Sequence, residues 1–429
     1  MTVGLMYGKG LLPVTPPPEA DVTVIRKPPL PTIADPDAAV REALEHPIGS
    51  DPLSALARGR TSACIVVCDI TRPVPNRLFL RPMVETMVAG GIPYEAITIL
   101  VANGLHRLGD ADEIAEIVGD PWVVEHVQIV GHDARDRPSL VDLGVTATRQ
   151  TPIVLHRALV DADLRIVTGL VEPHFMAGWS GGRKVVAPGV AGEETIRTFH
   201  SARFMEDPAA VQCNLVGNPL HEEQLEIVRT VGELYALNTV IDEERALSYV
   251  SFGGIEASHL AAVDFVAQYA SVAVPRRFHT VVTSAAGYPL DKTYYQTVKG
   301  MCTPVDILAP GGTLIIASEC SEGLGSSHFR ASQQALTDIG TDAFLDVVEA
   351  KALADIDEWQ TEMLLKPLRV GNVQLYATGL SPDDLRITGV ETVASVDQAI
   401  ADSIARHGDP AVAFIPEGPY VVPTYEPVA

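Results

Sequence analysis

The chain is short of several features that mark large classes of protein. It carries 31 lysines and arginines against 55 aspartates and glutamates, a formal net charge of -24. A general nucleic-acid binder needs a basic surface to neutralise phosphates, and an anionic membrane surface asks for the same. The balance argues against both, and solubility is its plainest reading. Long apolar runs are also missing. The longest, such as Cys64 to Cys68 and Thr313 to Ala317, have strand length, well short of the roughly 18 apolar residues that a membrane helix needs. The N-terminus, MTVGLMYGKGLLPV, lacks a basic start followed by a continuous apolar core and a small-residue cleavage site. No signal peptide is expected, and the cytoplasm is the expected compartment.

Cysteine is scarce and scattered. The five, at 64, 68, 213, 302 and 320, form no CxxC pair and have no histidine partner at zinc-finger spacing. On one extended strand Cys64 and Cys68 would share a face but lie about 13 Å apart, too far for a bridge or a shared metal. All five are read as small core residues.

What remains is an ordinary globular balance, 47% hydrophobic and 20% charged over 429 residues, enough for two or three domains. Asp35-Pro36 opens a short amphipathic helix, with Asp35 as N-cap and Pro36 at the first helical position. Ser62 to Asp69 is an uninterrupted apolar run that suits a strand buried on both faces. It ends in Asp69-Ile70-Thr71-Arg72-Pro73, directly before the helix-like Asn76 to Ala89. In open α/β sheets ligands bind outside the carboxyl ends of strands. The competing reading is a helix cap by Asp69 or Thr71 with Arg72 as its ion-pair partner.

The rhythm repeats at Tyr94 to Ala102, a second strand ending in Asn103-Gly104-Leu105-His106-Arg107 before the helical DADEIAEIVG. A histidine at the topological position of Asp69 and Arg72 points toward function more than a lone histidine would. Further strands are expected around VVEHVQIV, TPIVLH and LRIVTGL. Between the first two lies GHDARD, polar enough that an exposed loop accounts for His132.

Glu172 to Gly192, EPHFMAGWSGGRKVVAPGVAG, packs His174, a run of glycines, Ser180, Arg183 and Lys184 between the strand Leu164 to Leu170 and a helix expected from about Glu193 to Met205. At such a junction backbone amides can face a ligand. The spacing is neither GxxxxGK[ST] nor GxGxxG, so neither an NTPase nor a dinucleotide fingerprint is supported. His200 falls on the following helix, where a partly buried structural histidine is the alternative. A helix is expected from Asn218-Pro219 to about Gly232, a strand at YALNTVI, and a helix from Ile255 to Val272. Pro275-Arg276-Arg277 is read as the domain boundary, giving domains 1-274 and 275-429. The last strand-like stretch, AVAFIPEGPYVVPTYEPVA, is expected to pack back on the rest. In the second domain a helix from about Asp291 sets Tyr295, Gln296 and Lys299 on neighbouring positions of one face, suited to a small anion or to plain solvent exposure.

The set DITRPVP, NGLHR and HFMAGWSGGRK, followed by His200 and YYQTVKG, resembles the nickel-dependent lactate racemase family, in order and spacing across most of the chain. The resemblance implies a two-domain α/β fold with largely parallel sheets flanked by helices. It also implies racemisation or epimerisation at C2 of a 2-hydroxy acid by hydride transfer. The implied cofactor is a nickel pincer nucleotide, a pyridinium mononucleotide with two thioacid sulfurs and a ring carbon on the metal, made by cofactor-synthesis enzymes. By the same resemblance Lys184 tethers it, His200 ligates nickel, and His106 and His174 are the general acid/bases. Arg72, Gln296 and Lys299 hold the substrate. Asp69 orients Arg72 or contacts the cofactor, which Ser180, Tyr295 and Trp359 adjoin. Ile70 and Leu105 depart from the pattern, which leaves room for a substrate longer than lactate. Two alternatives stand beside this reading: a zinc-dependent hydrolase using His106, His132 and His174, and a non-catalytic small-anion-binding protein of the same fold.

Overall fold

A computed structural model describes residues 1-427, so the last two residues of the strand-like ending lie outside the described residues. The chain divides into two compact units. One comprises Pro29–Phe199 and Asp207–Gln268, the other Met1–Pro28, His200–Glu206 and Tyr269–Ala429.

The strands of the two main sheets, in chain order, are β1 (Asp21–Val24), β2 (Ala63–Cys68), β3 (Ile97–Ala102), β4 (Gln128–Gly131), β5 (Leu164–Leu170), β6 (Tyr235–Ile241), β7 (Leu247–Gly254), β8 (Phe278–Ser284), β9 (Leu308–Ala317), β10 (Asn372–Tyr376), β11 (Glu391–Thr392) and β12 (Ala411–Ile415). The helices that matter for the sites are α1 (Arg183–Val186), α2 (Glu193–Phe199), α3 (Ala202–Met205), α4 (Pro219–Val231), α5 (Ile255–Ala270), α6 (Tyr294–Cys302) and α7 (Glu358–Val370). This is the expected α/β class with largely parallel sheets flanked by helices.

In the unit built on residues 29-199 and 207-268, the sheet order is β7-β6-β5-β2-β3-β4. All neighbours are parallel except β6 and β7. β2 is central and covered on both faces, so its sequence reads as an unbroken apolar run, ACIVVC, with Ile65 and Val67 at 0% exposure. They share a core with Met83, Ile99, Ile166 and Phe252. Burying each such side chain contributes roughly 1.5–3 kcal/mol.

The other unit has the sheet order β11-β10-β9-β8-β12-β1, parallel throughout. β1 joins it at one edge from the far end of the chain. Residues 422–425 form a strand that pairs in parallel with Ser271–Val274 in this same unit.

Local signals mostly held. Asp35 caps its helix through Ala38 N at 2.9 Å, and Asn218 caps α4. Three expectations failed. VVEH is not strand but the end of a helix, Pro121–His126, whose start is signalled by Asp120 as N-cap and Pro121 behind it. The helix expected over 193-205 stops at Phe199 and resumes at Ala202, leaving His200 and Ser201 at the break. His132 is not in an exposed loop: it is 0% exposed and its Nε2 lies 2.9 Å from the Ala191 carbonyl.

Candidate active site

In the sheet centred on β2 the chain runs outward from β2 to β3 and β4, then crosses to β5 and β6 on the other side. Adjacent connections therefore leave β2 and β5 in opposite directions, and the switch point beyond their carboxyl ends is where ligands bind in open α/β sheets. The loops at this end carry Asp69 and Arg72 after β2, His106 after β3, and Glu172 to Gly192 after β5.

Asp69 is 7% exposed. Its Oδ2 lies 2.7 Å from His106 Nδ1, and its Oδ1 accepts from the Thr71 hydroxyl at 2.5 Å. Asp69 was expected to orient Arg72 or touch a cofactor; its hydrogen bonds instead go to His106 and Thr71. Burial pushes this carboxyl up, but the hydrogen bond and charge of His106, the Thr71 hydroxyl and the Arg72 charge outweigh it and hold it below the ordinary value. An ionised carboxylate only accepts, so His106 Nδ1 carries hydrogen, and whenever the ring is neutral Nε2 presents a lone pair. The His106 side chain is 64% exposed, which leaves Nε2 open to a reactant.

Arg72 reaches Glu172 with Nη1 3.6 Å from Oε1, both side chains about a third exposed, at 29% and 34%. The His106 loop is tied to the glycine-rich segment by Gly104 N donating to the Gly189 carbonyl at 2.9 Å.

Within that segment Pro173–His174 and Gly178–Trp179 form a small antiparallel ribbon. His174 Nδ1 accepts from Ala177 N at 3.1 Å and Met176 N at 3.4 Å. Its neutral ring therefore carries hydrogen on Nε2, the reverse of His106. Ser180, expected beside a cofactor, donates its hydroxyl to the Leu170 carbonyl at 2.7 Å and accepts from Glu172 N at 3.0 Å. It staples the segment to the end of β5.

The glycines of this segment let backbone approach protein closely. A Cβ on Gly181, at φ +82°, would fall 2.6 Å from Val171, and one on Gly178, at φ +74°, 2.2 Å from the Asn214 carbonyl.

Arg183 was named from sequence as part of this segment but given no role. Only 1% exposed, it donates to the carbonyls of Ala177 at 3.0 Å and Trp179 at 3.1 Å and meets His259 Nε2 at 2.9 Å. Burial pulls its pKa down to about 9. Nothing local in the sequence could have found it, because His259 comes from α5, 76 residues on. Lys184 follows on the same helical turn, half-buried.

In the other unit the topology reverses between β8 and β12, and α6 follows β8. Thr293 caps α6 by accepting from Gln296 N. The Gln296 Oε1 atom is buried without a hydrogen-bond partner. The Tyr295 hydroxyl accepts from Trp359 Nε1 at 3.2 Å, and its carbonyl from Gln360 Nε2 at 2.7 Å. Burial, then the Asp357 charge, pushes the Tyr295 phenol well up, so it stays neutral. His200, 8% exposed, lies with its ring 4.8 Å from that of Trp359 at 39°. Trp359 thus joins Tyr295 and His200, residues the sequence holds far apart. Lys299 lies one turn beyond Tyr295 on α6, half-buried.

A three-histidine metal site is not assembled. His132 packs edge-on to His156 at 5.5 Å, and burial lowers its pKa to about 4, a neutral core histidine. Among the described residues no group of three or more His, Cys, Asp or Glu side chains is placed to hold a metal. The five cysteines form no disulfide, and no helix of the described residues is long and apolar enough to cross a membrane.

Residues 7–212 match the family model of the lactate racemase N-terminal domain, and residues 275–422 that of the lactate racemase C-terminal domain. A lactate racemase of Lactiplantibacillus plantarum is 33% identical over 382 residues, 88% of this chain and 89% of that protein. The chain belongs to the lactate racemase family. Another relative, the lactate racemase of Thermoanaerobacterium thermosaccharolyticum, is 36% identical over 290 residues, 68% of this chain and 67% of its own. Among solved structures, the lactate racemase apoprotein from that organism superposes with a TM-score of 0.89 at 28% identity, over 99% of this chain and 100% of that one. A Thermotoga maritima protein, at TM-score 0.67 and 18% identity over 91% of this chain and 98% of its own, shares the fold. Membership of this family supports an isomerase of the racemase type.

Proposed function

We propose that this chain inverts C2 of a 2-hydroxy acid, using a nickel pincer nucleotide attached through Lys184 with His200 as the protein's ligand to the metal. The observation that carries the reading is the pair His106 and His174, held with opposite proton patterns on loops at the switch point. Handling a hydroxyl on either side of a flat intermediate calls for two imidazoles near neutral pKa. His106, with its Nε2 lone pair, takes the hydroxyl proton. His174, with hydrogen on Nε2, donates a hydrogen bond to the same oxygen. Arg72 takes the substrate carboxylate as a bidentate partner in competition with Glu172, and Gln296 and Lys299 bind the remaining oxygens.

The residues present fit the implied cofactor. A metal bound chiefly by the sulfurs and ring carbon of an organic group asks the protein for one ligand rather than three, in keeping with the scattered metal-binding side chains. Imidazole suits nickel, and His200 is fixed beside Trp359. Ser180 and Arg183 hold the turn that presents Lys184. When bound, the cofactor would accept the C2 hydrogen as hydride and return it, which avoids a carbanion beside a carboxylate.

Intact mass spectrometry tests the attachment. Protein produced together with cofactor-synthesis enzymes is expected to carry an adduct that Lys184→Ala lacks; no lysine-dependent adduct would sink the reading. Single-enantiomer 2-hydroxy acids, with and without deuterium at C2, then identify the substrate, with internal return of deuterium expected.

A further inference from the structure

Seven residues, His200–Glu206, leave the unit formed by the chain on either side of them and belong to the unit that contains α7. At the start of this excursion the His200 ring meets Trp359 of α7. At its end Glu206 lies close to Glu362, three residues further along the same helix, so that each carboxyl group is set against the other. Glu362 is 1% exposed, and Glu206 Oε1 and Glu362 Oε1 are both buried with no donor group facing them. Two carboxylate oxygens cannot hydrogen-bond unless one carries a proton. The other Glu206 oxygen, Oε2, accepts from Arg369 Nη1 at 2.6 Å.

We infer that Glu362 is a positioning residue for His200: its protonated carboxyl, shared with Glu206 and backed by Arg369, latches the 200-206 segment to α7. The inference rests on the reading of His200 as the nickel ligand. The surroundings favour one proton on the pair. Glu358 and Lys366 of α7 and Cys302 of α6 also face this region, with Lys351 engaged by Glu358. Burial, then the Glu206 charge, raises the Glu362 carboxyl to about 9 against the lowering effect of Lys366. At neutral pH the latch is closed; as pH rises past that value the second carboxylate forms and repels the first.

The full chain without cofactor provides the first measurement, amide-exchange protection of residues 200-206 corrected for intrinsic rates, at pH 7 and pH 10. In the wild type, opening of the segment is expected to rise about tenfold for each pH unit above the titration of the pair. Glu362→Gln, which keeps a neutral donor toward Glu206, is expected to hold protection at both pH values, and Glu362→Ala to lose it at both. If Glu362→Ala does not fold, Glu206→Gln replaces it and is expected to be as flat as Glu362→Gln. Wild-type protection that does not change with pH, or Glu362→Gln losing protection at pH 7, overturns the latch.

The second measurement is nickel per chain after production with the cofactor-synthesis enzymes, beside the mass of the Lys184 adduct. Glu362→Ala is expected to keep the adduct and lose nickel, and Glu362→Gln to keep both. Equal nickel in the two variants overturns the positioning role. A wild type with neither adduct nor nickel sinks the proposed function, while the protection data still decide the latch.

Discussion

Asp69→Asn is the sharpest perturbation of the proposed chemistry. The substitution keeps size and shape but removes the charge that fixes the proton on His106 Nδ1. Asp69 is nearly buried and lies 2.7 Å from that nitrogen, so the lost interaction is a charge-assisted hydrogen bond of about 1.5–3 kcal/mol. At about 1.4 kcal/mol per decade, that is roughly a 10- to 150-fold fall in kcat. A base locked in the wrong tautomer can cost as much as about 10⁴-fold. Here the His106 side chain is 64% exposed, so water can satisfy either tautomer, and the lower range is expected. The assay is the initial rate from each pure enantiomer for wild type, Asp69→Asn, His106→Ala and the double variant. Because Asp69 acts through His106, adding Asp69→Asn to His106→Ala is expected to change the rate by less than about twofold. Full additivity, or an Asp69→Asn enzyme within twofold of wild type, would refute the dyad.

Other consequences can be checked with the same protein. Glu172→Gln removes the carboxylate that competes for Arg72 at 3.6 Å and is expected to lower KM severalfold for the 2-hydroxy acid with little change in kcat, as measured by steady-state kinetics. Ser180→Ala removes a buried hydroxyl that makes two bonds to the end of β5, a loss of about 1–3 kcal/mol visible in chemical denaturation. Asp69, held below its ordinary value, stabilises the fold above the unfolded carboxylate pKa. That share is lost as pH falls through its folded pKa, so the acid side of the stability profile is expected to flatten in Asp69→Asn.

How much of this could be read in advance depended on how far each interaction reaches along the chain. The apolar runs of β2 and β5 and the caps at Asp35 and Asn218 are local, and their elements came out as read. The placing of Asp69, His106 and Lys184 after strands followed from the same rhythm. What could not be read was where side chains end their reach. Asp69 finds His106 37 residues away, and Arg183 finds His259 76 residues away. The break at His200 was also hidden, since helical periodicity continues through residues that belong to different units. The glycines are legible only in part for a physical reason: a missing Cβ signals close approach but does not say to what, and the neighbours of Gly181 and Gly178 include Val171 and Asn214.

The unequal hold on the two histidines leads to a kinetic signature. His106 is fixed by a carboxylate at 2.7 Å, whereas His174 Nδ1 accepts from neutral amide donors at 3.1 and 3.4 Å. To act as a base in its turn, His174 must move its hydrogen off Nε2. That forfeits two long, neutral hydrogen bonds worth at most about 0.5–1.5 kcal/mol each. The same exchange at His106 would break the stronger, charge-assisted bond. The enantiomer that uses His106 as base therefore meets a prepared site, while its mirror image first pays for rearrangement at His174. For a substrate with one stereocentre the equilibrium constant is one, so kcat/KM must be equal in the two directions whatever the mechanism. The asymmetry can appear only as kcat and KM differing together, by about two- to tenfold, in full progress curves from each enantiomer. Identical kcat in both directions, maintained across pH, would mean that the two histidines are equally ready and that the hydrogen-bond pattern at His174 has no bearing on turnover.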